Sequence, residues 1–393
     1  MISVGYSAAV ETSAAVREAL QAASVDDSTS WLLVFAGRRH GADRLLSQIR
    51  EQAGDIPVYG GSCVGAISST ASGYSGNEIV IAAFSSEAGA PRVCIAEPLE
   101  QNEADAGRQL AEWLEQEEVS AAMLFYDVTR RGGGINVGTS LIDGIYDSLK
   151  EGMEPQLFGA GLLGDFPLTE SHVFVGDGCR KNVALAVAVP PGLRTEPRVM
   201  HGCAPVSGFM TVTRADAARI YELDGAPAAQ VLRSMAGSDD VALAFSILLG
   251  RRSSNLHAPF QEADFMNRLI IDVNEDDGSV GLFETDIRTG DRVQVMMRDN
   301  QLLMESVKKG VEESLGKLDG RNAELAFYVD CAGRASVFTG SEEEEARKLA
   351  EALGPDIPLL GFYAGREIAP FDGRSRPLDW TGVLVMFTRT EAA

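Results

Sequence analysis

The chain has 393 residues, 45% hydrophobic and 23% charged, which suits a folded globular protein with more than one core. A formal net charge of -23 repels phosphate backbones and anionic membrane surfaces, removing nucleic acid and membrane from the candidate partners. The five cysteines show no paired CxxC spacing, which argues against a disulfide framework or zinc site and for a reducing cytoplasm, and no apolar run approaches the ~20 residues that span a bilayer.

In chain order, Ser7 to Ala23 has the spacing of a helix, Trp31 to Ala36 of a buried strand, and Leu45, Leu46 and Ile49 give the next segment a helical stripe. Pro57 to Tyr59 and Glu78 to Phe84 return to strand. The same order recurs at Met123 to Val128, a helix over Val137 to Leu149, Leu157 to Phe158, and strands near His172 to Val175 and Val183 to Val189. A third copy runs through Glu324 to Val329, an acidic helix Glu342 to Leu353, Ile357 to Leu360 and Gly382 to Phe387. These are recurring β-α-β-loop-β units, far longer than solenoid periods, so the expected fold is α/β, with mixed β-sheets flanked by helices.

Each copy carries a short apolar strand running into glycines: Gly54 to Ile67, Pro155 to Gly161, and Gly354 to Ile368. Glycine lets a backbone approach a neighbouring strand or a ligand closely. Recurrence makes the pattern architectural first. Arg366 and Glu367 distinguish the third copy, because Gly65 and Ala66 stand at the matching positions of the first.

Pro190, Pro191, Gly192, Arg194 and Pro197 interrupt both regular periods and mark a linker over 191–197, dividing an α/β domain of residues 1–190 from another of residues 198–393. In the second, Arg219 to Leu223 reads as a strand turning through Asp224 and Gly225 into a helix. Asn274 to Gly278 forms a hairpin turn between Arg268 to Val273 and Ser279 to Phe283. Asp291 to Met297 adds a strand and Leu302 to Leu318 a long helix.

Gly60 to Ile67 with Glu78 to Phe84, and Tyr221 to Pro227, Cys331 to Phe338 and Gly361 to Ile368 with Gly373, together resemble the paired N- and C-terminal FIST domains, a bacterial sensory module, over nearly the whole chain. The resemblance implies a cytoplasmic small-ligand sensor rather than an enzyme. Stand-alone chains of this kind resemble haem-binding nitric-oxide sensors that regulate a separate histidine kinase or cyclic-di-GMP enzyme; amino-acid sensing without haem is the alternative it implies.

A haem sensor needs an imidazole on iron beside an apolar pocket, and the chain has four histidines, His40, His172, His201 and His257. His257 lies between Leu256 and Ala258 in an apolar loop, with Arg251, Arg252 and Arg268 as propionate partners, and is the first candidate iron ligand. His172, at a predicted strand, is the second. His201 reads as a strand end beside Cys203, and His40 as a solvated loop residue. Cys331, Gly333 and Arg334 follow an apolar strand, and Gly361, Gly365, Arg366 and Glu367 span the third glycine stretch; these are the candidate ligand-binding residues. Arg366 suits bidentate capture of a carboxylate, or a salt bridge to Glu367 or another acid. Cys331 and Cys63 read as equivalent strand-end residues; a Cys-dependent enzyme and a ligand-free protein-interaction scaffold are the remaining alternatives. Gly132 to Gly138 offers a permissive loop ahead of a helix without a Walker lysine.

Overall fold

The computed structural model describes residues 2–99, 102–130, 134–236, 247–252 and 256–390. The first unit starts with the strand Ile2–Ser7, then helix Thr12–Ala22, central strand Thr29–Gly37, helix Ala42–Ala53 and strand Val58–Cys63. Leu45, Leu46 and Ile49 are the buried face of the second helix, so the stripe seen in the sequence is what docks it on the sheet. That helix is the crossover required by the parallel pairing of Val58–Cys63 with the central strand. The chain then leaves its own sheet through Gly65–Ser68 and returns as Ile79–Ser85, antiparallel between Ile2–Ser7 and the central strand.

The second unit repeats this with Val93–Ala96, helix Glu103–Gln116, Ala121–Asp127, helix Gly138–Tyr146, Gln156–Leu162, the departing strand Val173–Gly176 and the return Ala184–Ala188. The third uses Leu193–Met200, helix Asn300–Gly316, Ala323–Cys331, helix Glu345–Leu353, Leu359–Ala364, the departing strand Arg366–Phe371 and the return Gly382–Arg389. The departing strands are exchanged in a cycle. Gly65–Ser68 of the first unit joins the third, Val173–Gly176 of the second joins the first, and Arg366–Phe371 of the third joins the second. Three six-stranded sheets with one strand order result.

Their inner faces meet in an aromatic core. Phe35 stacks on Phe362 with centroids 3.7 Å apart, Phe125 meets Phe35 edge-on at 5.2 Å, and Phe327 lies 6.0 Å from Phe362. Gly60 and Gly159 hold φ of 116° and 141°, and a Cβ on either would lie 2.2 Å from the carbonyl oxygen of Val34 or Leu124. At these two positions the close approach is to a neighbouring strand.

Residues 203–298 interrupt the third unit between its edge strand and first helix, and fold into a fourth sheet of eight strands. The predicted Arg219–Leu223 strand, the Asp224-Gly225 turn and the 274–278 hairpin turn all fall within it. His201 pins the entry: its Nδ1 accepts from the Cys203 amide at 3.0 Å, so its Nε2 donates to the Glu262 carbonyl at 2.9 Å.

Several expectations change. The linker expected over 191–197 is from Leu193 onward a strand, paired along its length with Gly382–Arg389, because Pro197 lies at a sheet edge where its missing N–H is tolerated. His40 is buried, bonded through Nε2 to the Asn77 carbonyl at 2.7 Å and through Nδ1 to Thr12. The acidic helix starts at Glu345, and Glu344 before it accepts the Tyr363 hydroxyl at 2.9 Å. Cys63 and Cys331 are not equivalent: Cys331 ends a central strand opposite Ala364, whereas Cys63 ends the parallel neighbour opposite Gly37. The strand Ile2–Ser7 and the helix Glu103–Gln116 had no counterpart in the sequence reading.

Candidate functional site

A cavity of about 380 Å³ opens where the inserted sheet meets the second and third units. The third unit contributes Cys331, Ala332 and Gly333 beyond its central strand, Ala364, Gly365 and Arg366 where the chain changes sheet, and Phe338 and Trp380. The insertion adds Leu269, Ile270, Ile271, Phe283 and Arg298, and the second unit Leu163, Phe166 and Leu168. Strand exchange brings these parts together: Arg366 pairs across to Gly161, two residues before Leu163.

The wall is apolar with two cations. Arg298 stacks on Trp380 with its guanidinium carbon 3.9 Å from the ring, and Arg366 stacks on Phe283 at 3.9 Å. Trp380 takes a φ of 56°, an unusual conformation for a bulky residue, held by the buried surroundings. A Cβ on Gly333 would lie 3.4 Å from the Trp380 ring, so the glycine keeps this part of the wall open. Leu168, Ile271 and Phe338 are 45%, 41% and 54% exposed and give the mouth an apolar rim.

Buried charges couple the insertion to both units. Glu284, fully buried, accepts from the Thr139 amide at 2.8 Å and from Arg366 Nε at 3.2 Å. Asp379 lies 3.6 Å from Arg366 and 3.7 Å from Arg268, and accepts the Leu269 amide. Arg268 in turn pairs with Asp286 and donates to the Pro377 carbonyl at 3.0 Å. Burial raises the Glu284 carboxyl, and raises those of Glu367 and Asp330 well above the carboxylate range, with Asp379 and Glu345 respectively adding repulsion. The Arg334 guanidinium, 3.4 Å from Asp330, works against this rise at both carboxyls.

Of the residues singled out from sequence, Cys331, Gly333, Gly365 and Arg366 converge on this wall. Arg366 pairs with Glu284 and Asp379 instead of Glu367. Arg334 does not reach the cavity: fully buried, it pairs with Glu345 and donates to the carbonyls of Met200 and Trp380. Gly361 sits mid-strand between Tyr328 and Ile67, and Glu367 accepts the Thr381 amide at 3.2 Å. His257 occupies an exposed turn. Arg252, expected beside a propionate, instead holds the Ala258 and Pro259 carbonyls and Asp264, and Arg268 is committed to Asp286. His172 lines a separate open groove of about 760 Å³ with Arg38, Arg130 and Lys181, which pair with Asp165, Glu103 and Glu170. Gly132 and Gly133 lie outside the described residues.

Haem iron is held by His, Cys thiolate, Met or Tyr beside an apolar slot. No histidine, methionine or tyrosine lines the apolar cavity among the described residues, and Cys331 is the single lining residue there of a type that ligates haem iron. The groove at His172 is polar and open. Neither place sets an imidazole against an apolar slot. Phe283 and Glu284 just past one strand, Arg298 at the end of another, and Asp379 and Trp380 between two more share no local pattern, and the Asp379-Trp380 pair before a terminal strand is the one signal near to hand.

Residues 30–226 match the FIST N domain model and residues 228–370 the FIST C domain model, so the junction between the two falls within the inserted sheet. An uncharacterized protein of Mycobacterium bovis is 32% identical over 202 residues, covering 50% of this chain and 51% of the relative. An uncharacterized protein of Mycobacterium tuberculosis is 28% identical over 201 residues, covering 50% and 52%. The chain thus spans about half the length of the curated relatives it matches. Among solved structures, phosphoribosylformylglycinamidine synthase II from Thermotoga maritima aligns over 99% of this chain and 72% of its own at 11% identity and a TM-score of 0.20, too low to describe the fold.

Proposed function

The chain belongs to the FIST family of sensory signal-transduction domains, and from that premise we propose that it senses a small molecule held in the cavity between the inserted sheet and the second and third units. The observation that carries this reading is the composition of the wall: three parts of the chain, distant in sequence, enclose an apolar volume of about 380 Å³ with only two charged side chains among the described residues. A ligand there touches the insertion and its support at once, so it has different contacts in two arrangements of these parts, which is the requirement for shifting a conformational equilibrium. In this reading the shift is passed to a separate protein, a histidine kinase or a cyclic-di-GMP enzyme.

Cysteine catalysis finds no support in the site. Cys331 and Cys63 are buried, and burial pushes both thiols well above the range in which a thiolate forms. No helix of the described residues is long and apolar enough to cross a membrane. Native mass spectrometry of the protein purified from cells should show a bound small molecule that is absent from Gly333→Phe, which fills the wall beside Trp380. Equal ligand occupancy in both proteins would move the site elsewhere, and a Soret band in the purified protein would restore the haem reading.

A further inference from the structure

We propose that the cavity takes a small monocarboxylic acid with an aliphatic or aromatic body, its carboxylate set against Arg366 and Arg298. The inference rests on the cavity being the ligand site and names the ligand class. The described wall carries two charged residues, both cationic, and no carboxylate. Arg366 is 3% exposed; its Nε is bonded to Glu284 and its Nη1 to the Gly365 carbonyl, whereas its buried Nη2 has no hydrogen-bond partner. A buried donor left unsatisfied is costly, so a small turn of the Arg366 guanidinium that brings Nη2 to a ligand oxygen gains more than contact with a solvated donor. Arg298, stacked on Trp380, is the second cation of the same wall, and burial lowers its guanidinium to about 10.

The rest of the wall selects the body of the ligand. Phe166, Phe283 and Trp380 offer ring faces and edges, and Leu168, Ile271 and Phe338 extend the apolar surface to the mouth, where a longer chain can lie. A free amino acid fits less well, because its ammonium group finds no acidic side chain on the described wall. Glu367 is buried off the wall, its carboxyl raised by burial and by the repulsion of Asp379.

Calorimetric titration of the full chain with hexanoate, octanoate and phenylacetate, against hexanol, octanol and 2-phenylethanol, tests the assignment. The acids should bind at least about tenfold more tightly than the matched alcohols, as expected for one charge-assisted hydrogen bond, and 2-aminooctanoate should bind more weakly than octanoate. Because Arg366→Gln also opens the Glu284 pair, Arg298→Gln is the second variant, expected to weaken octanoate about tenfold and leave octanol unchanged. Acids no tighter than alcohols, aminooctanoate tighter than octanoate, or acid binding unaffected by both variants overturns the proposal. If alcohols bind equally well and lose binding in Gly333→Phe, the cavity remains the ligand site and only the carboxylate assignment falls. No binding by any acid, together with no ligand in the native protein, defeats both.

Discussion

Replacing Glu284 by alanine should loosen the insertion from both neighbouring units. Its carboxylate accepts the Thr139 amide at 2.8 Å at the start of one helix and Arg366 Nε at 3.2 Å on a strand of another unit, with no solvent exposure. Breaking a buried ion pair by removing one partner costs about 3–5 kcal/mol. Asp379, 3.6 Å from Arg366, still compensates part of the charge, and the raised carboxyl of Glu284 shows that its own burial is unfavourable, so the lower end, about 3 kcal/mol, applies. Should the cost appear as local opening, the opening equilibrium rises about 100-fold. Hydrogen exchange read by mass spectrometry on peptides spanning Thr139 and 279–282 measures this directly, without assuming two-state unfolding of a chain this long. Adding Arg366→Met to Glu284→Ala removes the orphaned charge, and the double variant should lose less than the two singles together by about 1–3 kcal/mol. Wild-type exchange at Thr139 in Glu284→Ala, or simple additivity in the double variant, would refute the coupling.

Burial raises the Asp127 carboxyl to about 6 from the ordinary 3.8, against the hydrogen bond from Ser171 and the amide bond from Val183. The folded state therefore holds a proton that the unfolded chain has lost, and stability should fall by about 3 kcal/mol as pH rises through that interval, then level off; denaturant titrations should find the slope absent in Asp127→Asn, and an undiminished slope would exonerate the residue. Gly60→Ala combines a φ of 116° with a Cβ 2.2 Å from the Val34 oxygen and should cost at least about 3 kcal/mol, whereas Gly54→Ala, with φ of 80° and open space around it, should cost about 1 kcal/mol; comparable melting shifts for both would contradict the close-approach argument. Iodoacetamide at pH 8 should leave Cys331 unlabelled in the native protein and modify the half-buried Cys94 and Cys179 first, slowly, since both thiols are raised to about 11. Rapid Cys331 labelling by peptide mapping would reopen its role as a nucleophile.

Much of the fold was legible because periodicity is a local property. The stripe Leu45, Leu46 and Ile49 identified its helix, Trp31 to Ala36 its strand, and Asp224-Gly225 its turn, which both residues enter at positive φ. The three-copy pattern was equally visible. Strand exchange was not, because Gly65–Ser68 reads the same whichever sheet accepts it, and its partner Leu359–Ala364 lies almost 300 residues away. Pro190, Pro191 and Gly192 interrupt the pattern for only a short turn, because proline tolerance at a sheet edge lets the strand begin at Leu193.

The candidate site divides in the same way. By itself, the sequence determined the α/β class, the repeated unit, the family, and Arg366 as the departure between copies that merited attention, since each depends on residue type and spacing along the chain. Only the tertiary structure decided that Arg366 faces a shared cavity while Arg334 is locked behind Glu345, and that the wall includes Phe283, Arg298 and Trp380. The physical reason is that burial and charge pairing depend on distance through space: Glu284 and Arg366, 82 positions apart, meet because two sheets converge, and no local pattern encodes that convergence.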